Sequence, residues 1–325
     1  MDFELNETER LLHDSLLRFV QAEAPRDAAQ DWGHAVAMGW HAAATPEAQG
    51  GFGMGLVGPM LIAESLGAAL SALSWRDAAV VPALALAALA DEGEADCADW
   101  LEHFLAGDLA VHSAYLDAPP AAGALVLEGV PEGPEIGLVL LRYRKGGQGH
   151  VALAGAAALR RDGPSRGNLR VDPTGLRSLA LPAALEGRLD TAARIAAAAD
   201  HLGAMQALMD MTLDYVRTRQ QFGRPLGAFQ ALQHRLVDMF VALEEARALT
   251  MAAAMAATAA RADAARLATA AWDCARRAGA KIAEEAIQMH GGIGMTEECR
   301  VGAYVKRILR NEAGPVSRYH QGNVA

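Results

Sequence analysis

The sequence predicts a mainly α-helical protein with a small β-domain set between two helical regions. Three observations predict it. The 325-residue chain is 52% hydrophobic but only 5% aromatic, and Ala tracts such as Ala252-Ala253-Ala254 recur. Ala has the highest helix propensity because ordering it loses no side-chain entropy and buries no polar group. Apolar residues fall at helical spacing towards both ends, whereas Gly and Pro punctuate short apolar runs in the middle.

Residues 1–111 read as an N-terminal helical domain. Asn6 suits a helix N-cap, with Glu9 in the capping-box position and Leu12, Leu16, Phe19 and Val20 forming the apolar stripe behind it. A Gly-rich loop follows at 50–55. Helical signals resume through Leu61–Leu66 and the Ala/Leu-rich stretch 83–90. Residues 112–185 carry Pro119-Pro120 and the short apolar runs Leu125-Val126-Leu127, Ile136–Leu141 and Val151-Ala152-Leu153, which read as strands of a small, shortened β-domain. Residues 186–325 return to long helices. Leu202, Met205, Met209, Leu213 and Val216 share one face, as do Leu232, Leu236, Met239, Leu243 and Leu249. Long antiparallel helices joined by short loops make a bundle.

The formal net charge of −10 argues against a nucleic-acid partner, which usually meets a basic face. It leaves room for a local basic site for an anionic cofactor. Cys97, Cys274 and Cys299 are scattered and odd in number, so neither a disulfide framework nor a metal site is expected, and reduced thiols fit a cytoplasmic protein. No basic segment followed by an apolar stretch opens the chain, and charge interrupts its longest apolar stretches. Neither a secretory leader nor a membrane-spanning helix is expected.

Two segments carry the chemistry. The first is Arg219-Gln220-Gln221-Phe222-Gly223-Arg224-Pro225-Leu226-Gly227-Ala228-Phe229-Gln230, and the second is Gln288-Met289-His290-Gly291-Gly292-Ile293-Gly294-Met295-Thr296. Upstream lie Gly39-Trp40, Thr45-Pro46-Glu47-Ala48-Gln49-Gly50-Gly51-Phe52-Gly53 and Glu64-Ser65-Leu66-Gly67. Taken alone, Arg219 would be a solvated arginine, Phe222 a core residue and Gly291-Gly292 a helix C-cap. Taken together and in this order, they resemble the acyl-CoA dehydrogenase family over almost the whole chain.

The resemblance implies an N-terminal helical domain, a β-barrel-like middle domain and a C-terminal four-helix bundle that mediates oligomerisation. It implies flavin adenine dinucleotide (FAD) as cofactor and α,β-desaturation of an acyl-CoA thioester, with an acceptor such as electron-transfer flavoprotein. Arg219, Gln221, Phe222 and Gln230 would touch one part of the FAD, and Gln288, Gly291 and Gly292 another. In the family the two segments are taken to come from different subunits. The residue types suit a dinucleotide. Arg219 offers a planar, permanently charged guanidinium to phosphates, Phe222 a ring face, and the glycines close backbone approach.

The sequence departs from the family where chemistry is concerned. The reaction needs a carboxylate to take the α-proton. Many members place a Glu near the C-terminus, but here that spacing falls near Pro315, and Glu312 is the nearby carboxylate. Others place it before an Arg that aligns with Arg194, but here the preceding residue is Ala193. Asp190 lies three residues back, where it can share a helix face. The candidate bases are therefore Glu312 and Asp190. The Trp-x-Thr stretch that contacts the flavin ring in the family is absent between His112 and Leu140.

Short chains with these motifs resemble enzymes of steroid side-chain CoA thioesters, many of them heterotetramers of two homologous chains. Three functions follow: a catalytic flavin-dependent dehydrogenase working as a homo-oligomer or heterotetramer, a base-less partner subunit sharing a flavin site, or a helical scaffold that has lost the flavin.

Overall fold

The computed structural model describes residues 5–21, 27–120, 125–128, 130, 135–161, 168–296, 298–311 and 318–319. Helix α1 (Glu7–Gln21) opens with the expected capping box. The Glu9 backbone N–H donates to Asn6 Oδ1 and the Asn6 N–H to Glu9 Oε2, both at 2.9 Å. Leu12, Leu16 and Phe19 are its buried stripe. A second capping box, Asp27 with Gln30, starts α2 (Ala28–Ala37). Helix α3 (Val57–Ala68) follows. A π-helical turn at Arg76–Val80 leads into the buried, apolar α4 (Val81–Asp91), and then comes α5 (Ala95–Ala106).

The strands come next: β1 (Ala110–Leu116), β2 (Leu125–Glu128), β3 (Ile136–Lys145), β4 (Gln148–Gly155), β5 (Leu159–Arg161), β6 (Asn168–Val171) and β7 (Arg177–Ala180). The three apolar runs expected as strands fall in β2, β3 and β4. Strand β1 carried no clear signal: it is buried along nearly its whole length, so it does not alternate, and the buried polar residues His112 and Ser113 break what would otherwise be an apolar run.

The chain then forms α6 (Ala183–Thr218), a short hairpin of β8 (Gln220–Gln221) and β9 (Arg224–Pro225), α7 (Gln230–Thr258), α8 (Ala264–His290), α9 (Val301–Asn311) and β10 (Arg318–Tyr319). One sheet runs β10-β1-β3-β4-β7 and the other β2-β6-β5. Their facing side chains, among them Leu116, Val139, Leu141 and Tyr143 from the first and Leu125, Leu127, Leu169 and Val171 from the second, form one core. No helix of the described residues is long and apolar enough to cross a membrane.

The chain packs as two compact units, neither continuous in sequence. One comprises residues 24–59, 71–193 and 316–325, and holds both sheets with α2, α4, α5 and the start of α6. The other comprises residues 1–23, 60–70 and 194–315, and holds α1, the end of α3 and the helices of the bundle.

In the bundle unit, Leu202, Met205, Leu208, Met239, Leu243, Ile282, Tyr304 and Ile308 knit α6, α7, α8 and α9 into a single core. Helix α3 crosses α6 with almost no space between the backbones. A Cβ on Gly203 would overlap the Glu64 carbonyl oxygen and lie 2.6 Å from Ala68 N. The crossing is locked on both sides. Arg247 of α7 donates to Glu64 Oε1 at 3.0 Å and to Gln206 Oε1 at 2.9 Å. The Tyr304 hydroxyl donates to the Ala68 carbonyl at 2.6 Å. Burial pushes the Glu64 carboxyl above the usual carboxylate range, although Arg247 beside it pulls the other way.

Candidate functional site

The two motif segments end up side by side in one protomer. Helix α6 ends at Thr218, where the Arg219 N–H still donates to the Tyr215 carbonyl at 2.8 Å. Helix α8 ends at His290. The Tyr215 ring stacks on the His290 ring at 4.4 Å between centroids and 23° between planes. His290 is buried, with Nδ1 2.8 Å from the Ala286 carbonyl oxygen, so this nitrogen carries the proton. The stacked pair holds the last turn of α6, just before the first segment, against the end of α8 within the second. Within one chain the end of α6 and the end of α8 are therefore neighbours, held by the Tyr215–His290 stack. Sequence reasoning missed this because Tyr215 and His290 are far apart in the chain and neither ring has a short-range signature.

The first segment folds as a two-residue hairpin. Gln221 pairs with Arg224 and Gln220 with Pro225, and the Leu226 N–H donates to the Arg219 carbonyl at 2.9 Å. Phe222 and Gly223 form the turn with φ of 56° and 76°. Positive φ at both central positions is the type I′ geometry that matches strand twist, and Asn-Gly is its favoured pair. Phe is a poor residue for the first of these positions, because its Cβ crowds the backbone. Even so, Phe222 sits there 89% exposed. An aromatic residue held against both its backbone preference and its hydrophobicity is a residue kept for contact.

Phe222→Asn should therefore stabilise the isolated fold by about 1 kcal/mol, the low end of the cost of a left-handed non-glycine residue since Asn tolerates that region better, and at the same time loosen whatever the ring touches. Thermal melting with and without added FAD reads both effects, and an unchanged FAD-induced shift would remove Phe222 from the site.

Arg219, Gln221, Phe222, Gln230, Gln288, Gly291 and Gly292 are all exposed. A Cβ at Gly223, Gly291 or Gly292 would meet nothing within 4 Å, so these backbones face open space. The set offers a free guanidinium, an exposed ring, amide side chains and uncovered main-chain N–H groups. All of these groups are exposed on the bundle unit.

Carboxylates are placed differently. Asp190 lies on α6 within the sheet-bearing unit, where its Oδ1 accepts from Arg142 Nη2 at 2.5 Å. The Arg142 side chain is 2% exposed and that of Asp190 31%. Two residues along β3, Arg144 reaches Glu186 at 3.3 Å, one turn before Asp190. A two-residue step on a strand and a four-residue step on a helix are both about 6–7 Å, so the two ion pairs form a matched ladder between β3 and α6. Ala193 is fully buried. Glu312 lies outside the described residues.

Comparison with known proteins gives the family. Residues 6–108 match the model of the acyl-CoA dehydrogenase N-terminal domain and residues 185–314 that of the C-terminal domain. Between them the two models match more than two thirds of the chain. The chain belongs to the acyl-CoA dehydrogenase family. A curated member, acyl-CoA dehydrogenase IpdE2 of Mycobacterium tuberculosis, is 44% identical over 121 residues, which span 37% of this chain and 36% of that one. The matched segment is thus about a third of that relative's length.

Two solved structures share the whole fold. The ChsE4-ChsE5 complex from Mycobacterium tuberculosis gives a TM-score of 0.76 at 24% identity, covering 97% of this chain and 96% of that one. The Tcur3481-Tcur3483 steroid acyl-CoA dehydrogenase variant gives 0.76 at 23%, covering 96% and 93%. In this chain the hairpin after α6 is exposed, and Asp190 and Glu186 of α6 pair with Arg142 and Arg144 of β3.

Proposed function

We propose that this chain acts in an FAD-dependent acyl-CoA dehydrogenase that desaturates an acyl-CoA thioester between Cα and Cβ, with a steroid side chain as the acyl class. Phe222 carries the reading: strained and exposed at the tip of a hairpin, beside Arg219 and Gln221, it has the form of a ligand contact. The steroid class rests on the printed name of one structural relative. Arg219 binds a phosphate through its charged fork, Phe222 lies against a ring, and Gln221, Gln230 and Gln288 orient the ligand with their amides. Gly291 and Gly292 leave their N–H groups uncovered. The flavin, when bound, accepts the hydride from Cβ. A carboxylate takes the Cα proton, and Glu312 and Asp190 are its candidates in this chain. Electrons pass on to an acceptor such as electron-transfer flavoprotein.

These residues are exposed, so a second chain would cover the cofactor, and a homo-oligomer or a heterotetramer with a homologous chain supplies it. A second reading is favoured by the fate of the α6 carboxylates: Ala193 is apolar and buried, and Asp190 is tied to Arg142. The chain would then be a partner subunit whose homologue provides the base.

The visible spectrum of the purified chain, alone and with a homologous chain, tests both readings. A flavin band that bleaches with acyl-CoA in the chain alone supports the first. Bleaching only after the homologue is added supports the second, and no flavin in either preparation sinks both. Arg219→Ala should lose most of its bound flavin, because a charge-assisted contact contributes about 1.5–3 kcal/mol. Retention equal to the unmodified chain would remove Arg219 from the site.

A further inference from the structure

We infer that Arg224 is a second phosphate-binding residue, which with Arg219 makes one face of the hairpin a two-pronged diphosphate clamp. This rests on the FAD reading and extends it to a residue that the motif comparison left unassigned.

The register of the hairpin carries the argument. Gln221 pairs directly with Arg224 across the turn, and directly paired residues project from the same face. The next pair on that face is Arg219 with Leu226, joined by the Leu226 N–H to Arg219 carbonyl bond of 2.9 Å. Alternation along the strands therefore sets Arg219, Gln221 and Arg224 on one face. Both guanidiniums are exposed, and neither has a carboxylate partner among the described residues. Two unpaired arginines on one face of a tight hairpin repel each other, an arrangement relieved by an anion between them.

The second observation is how Arg224 is held. Its guanidinium carbon sits 4.0 Å from the centroid of the Phe229 ring, and Phe229 in turn meets Phe222 edge-on at 6.1 Å and 89°. Cation–π stacking uses the flat face of the guanidinium and leaves the N–H groups around its rim free. Arg224 is thus fixed in place without spending its donors. The same aromatic pair fixes Phe222, so the ring contact and the second cation are set by one small cluster. A phosphate bridging Arg219 and Arg224 would bind at the hairpin whose turn carries Phe222, so one short element offers both a charged contact and a ring.

The test uses the full-length chain in its native assembly, titrated by flavin fluorescence with FAD and separately with riboflavin, which has no phosphate. Arg224→Gln should weaken FAD by about tenfold or more, the usual scale for one charge-assisted contact, and leave riboflavin unchanged. Arg224→Lys should recover part of the loss, since it keeps the charge but not the fork. Arg266→Gln, an exposed arginine in the first turn of α8 at the far end of that helix from His290, controls for net charge and should change neither ligand.

Equal FAD affinity in Arg224→Gln and the unmodified chain overturns the inference, as does an equal loss of FAD and riboflavin, which would mean that Arg224 only shapes the hairpin. If Arg219→Ala loses FAD and Arg224→Gln does not, the clamp fails while the FAD reading stands. If the unmodified assembly takes up no FAD, both fall.

Discussion

Gly203→Ala is expected to destabilise the protein by about 1–3 kcal/mol, the usual cost of overpacking a close contact. Helix propensity alone predicts the opposite sign, a gain of about 1 kcal/mol for Ala over Gly inside a helix. The structure decides between them. A Cβ at 203 would overlap the Glu64 carbonyl and lie 2.6 Å from Ala68 N, and on the other helix a Cβ at Gly67 would meet Asp200, with its carbonyl carbon at 3.0 Å. The obstacles are backbone atoms of α3 and α6, so no side chain can rotate away and the helices must separate. Separation would pull Glu64 from Arg247 and Ala68 from Tyr304. Gly203→Val should be worse, because a β-branched side chain adds bulk at the same point. Thermal melts followed by far-UV circular dichroism check this. A melting temperature equal to or above that of the unmodified chain would show that α3 and α6 do not approach this closely.

The second large effect concerns the base. If this chain supplies it, replacing the true carboxylate should lower turnover by about 10²–10⁴-fold while flavin binding persists. Glu312→Gln is expected to show that loss and Asp190→Asn a much smaller one, because Asp190 already gives one oxygen to Arg142. The choice of substitution matters. Asp190→Ala would leave a buried guanidinium without its carboxylate, and stripping one partner from a buried pair costs about 3–5 kcal/mol. The lost turnover would then report unfolding. Asparagine keeps an acceptor oxygen towards Arg142 and cannot act as a base, so it separates the two roles. Turnover unchanged in both Asp190→Asn and Glu312→Gln would remove both residues and assign the proton to a partner chain.

Much of the fold was legible because its signals are local. A capping box is a four-residue event, and Asn6 with Glu9 behaves as read. The apolar stripes on α1 and on the bundle helices follow from the 3.6-residue period. The runs at 125–127, 136–141 and 151–153 lie in strands because Gly and Pro isolate them. Strand β1 was not legible, since it neither alternates nor forms an apolar run: His112 and Ser113 are polar yet buried within it. The candidate cofactor residues were readable from their order along the chain, but the contact that brings the ends of α6 and α8 together was not. Tyr215 stacks on His290 between the two segments, a contact between residues that sequence cannot pair.

By itself, the sequence determined the family, the helical, β and helical order, and the short motifs whose chemistry suits a dinucleotide. Those features depend on residues within a turn or two of each other. Only the tertiary structure decided that α1 and the end of α3 pack with the bundle helices, that Gly67 and Gly203 are glycines because two backbones touch there, that Asp190 and Glu186 are matched to Arg142 and Arg144 on a strand, and that Phe222 is strained and exposed rather than buried. Each depends on which distant segments share a surface, and packing, not local propensity, selects that.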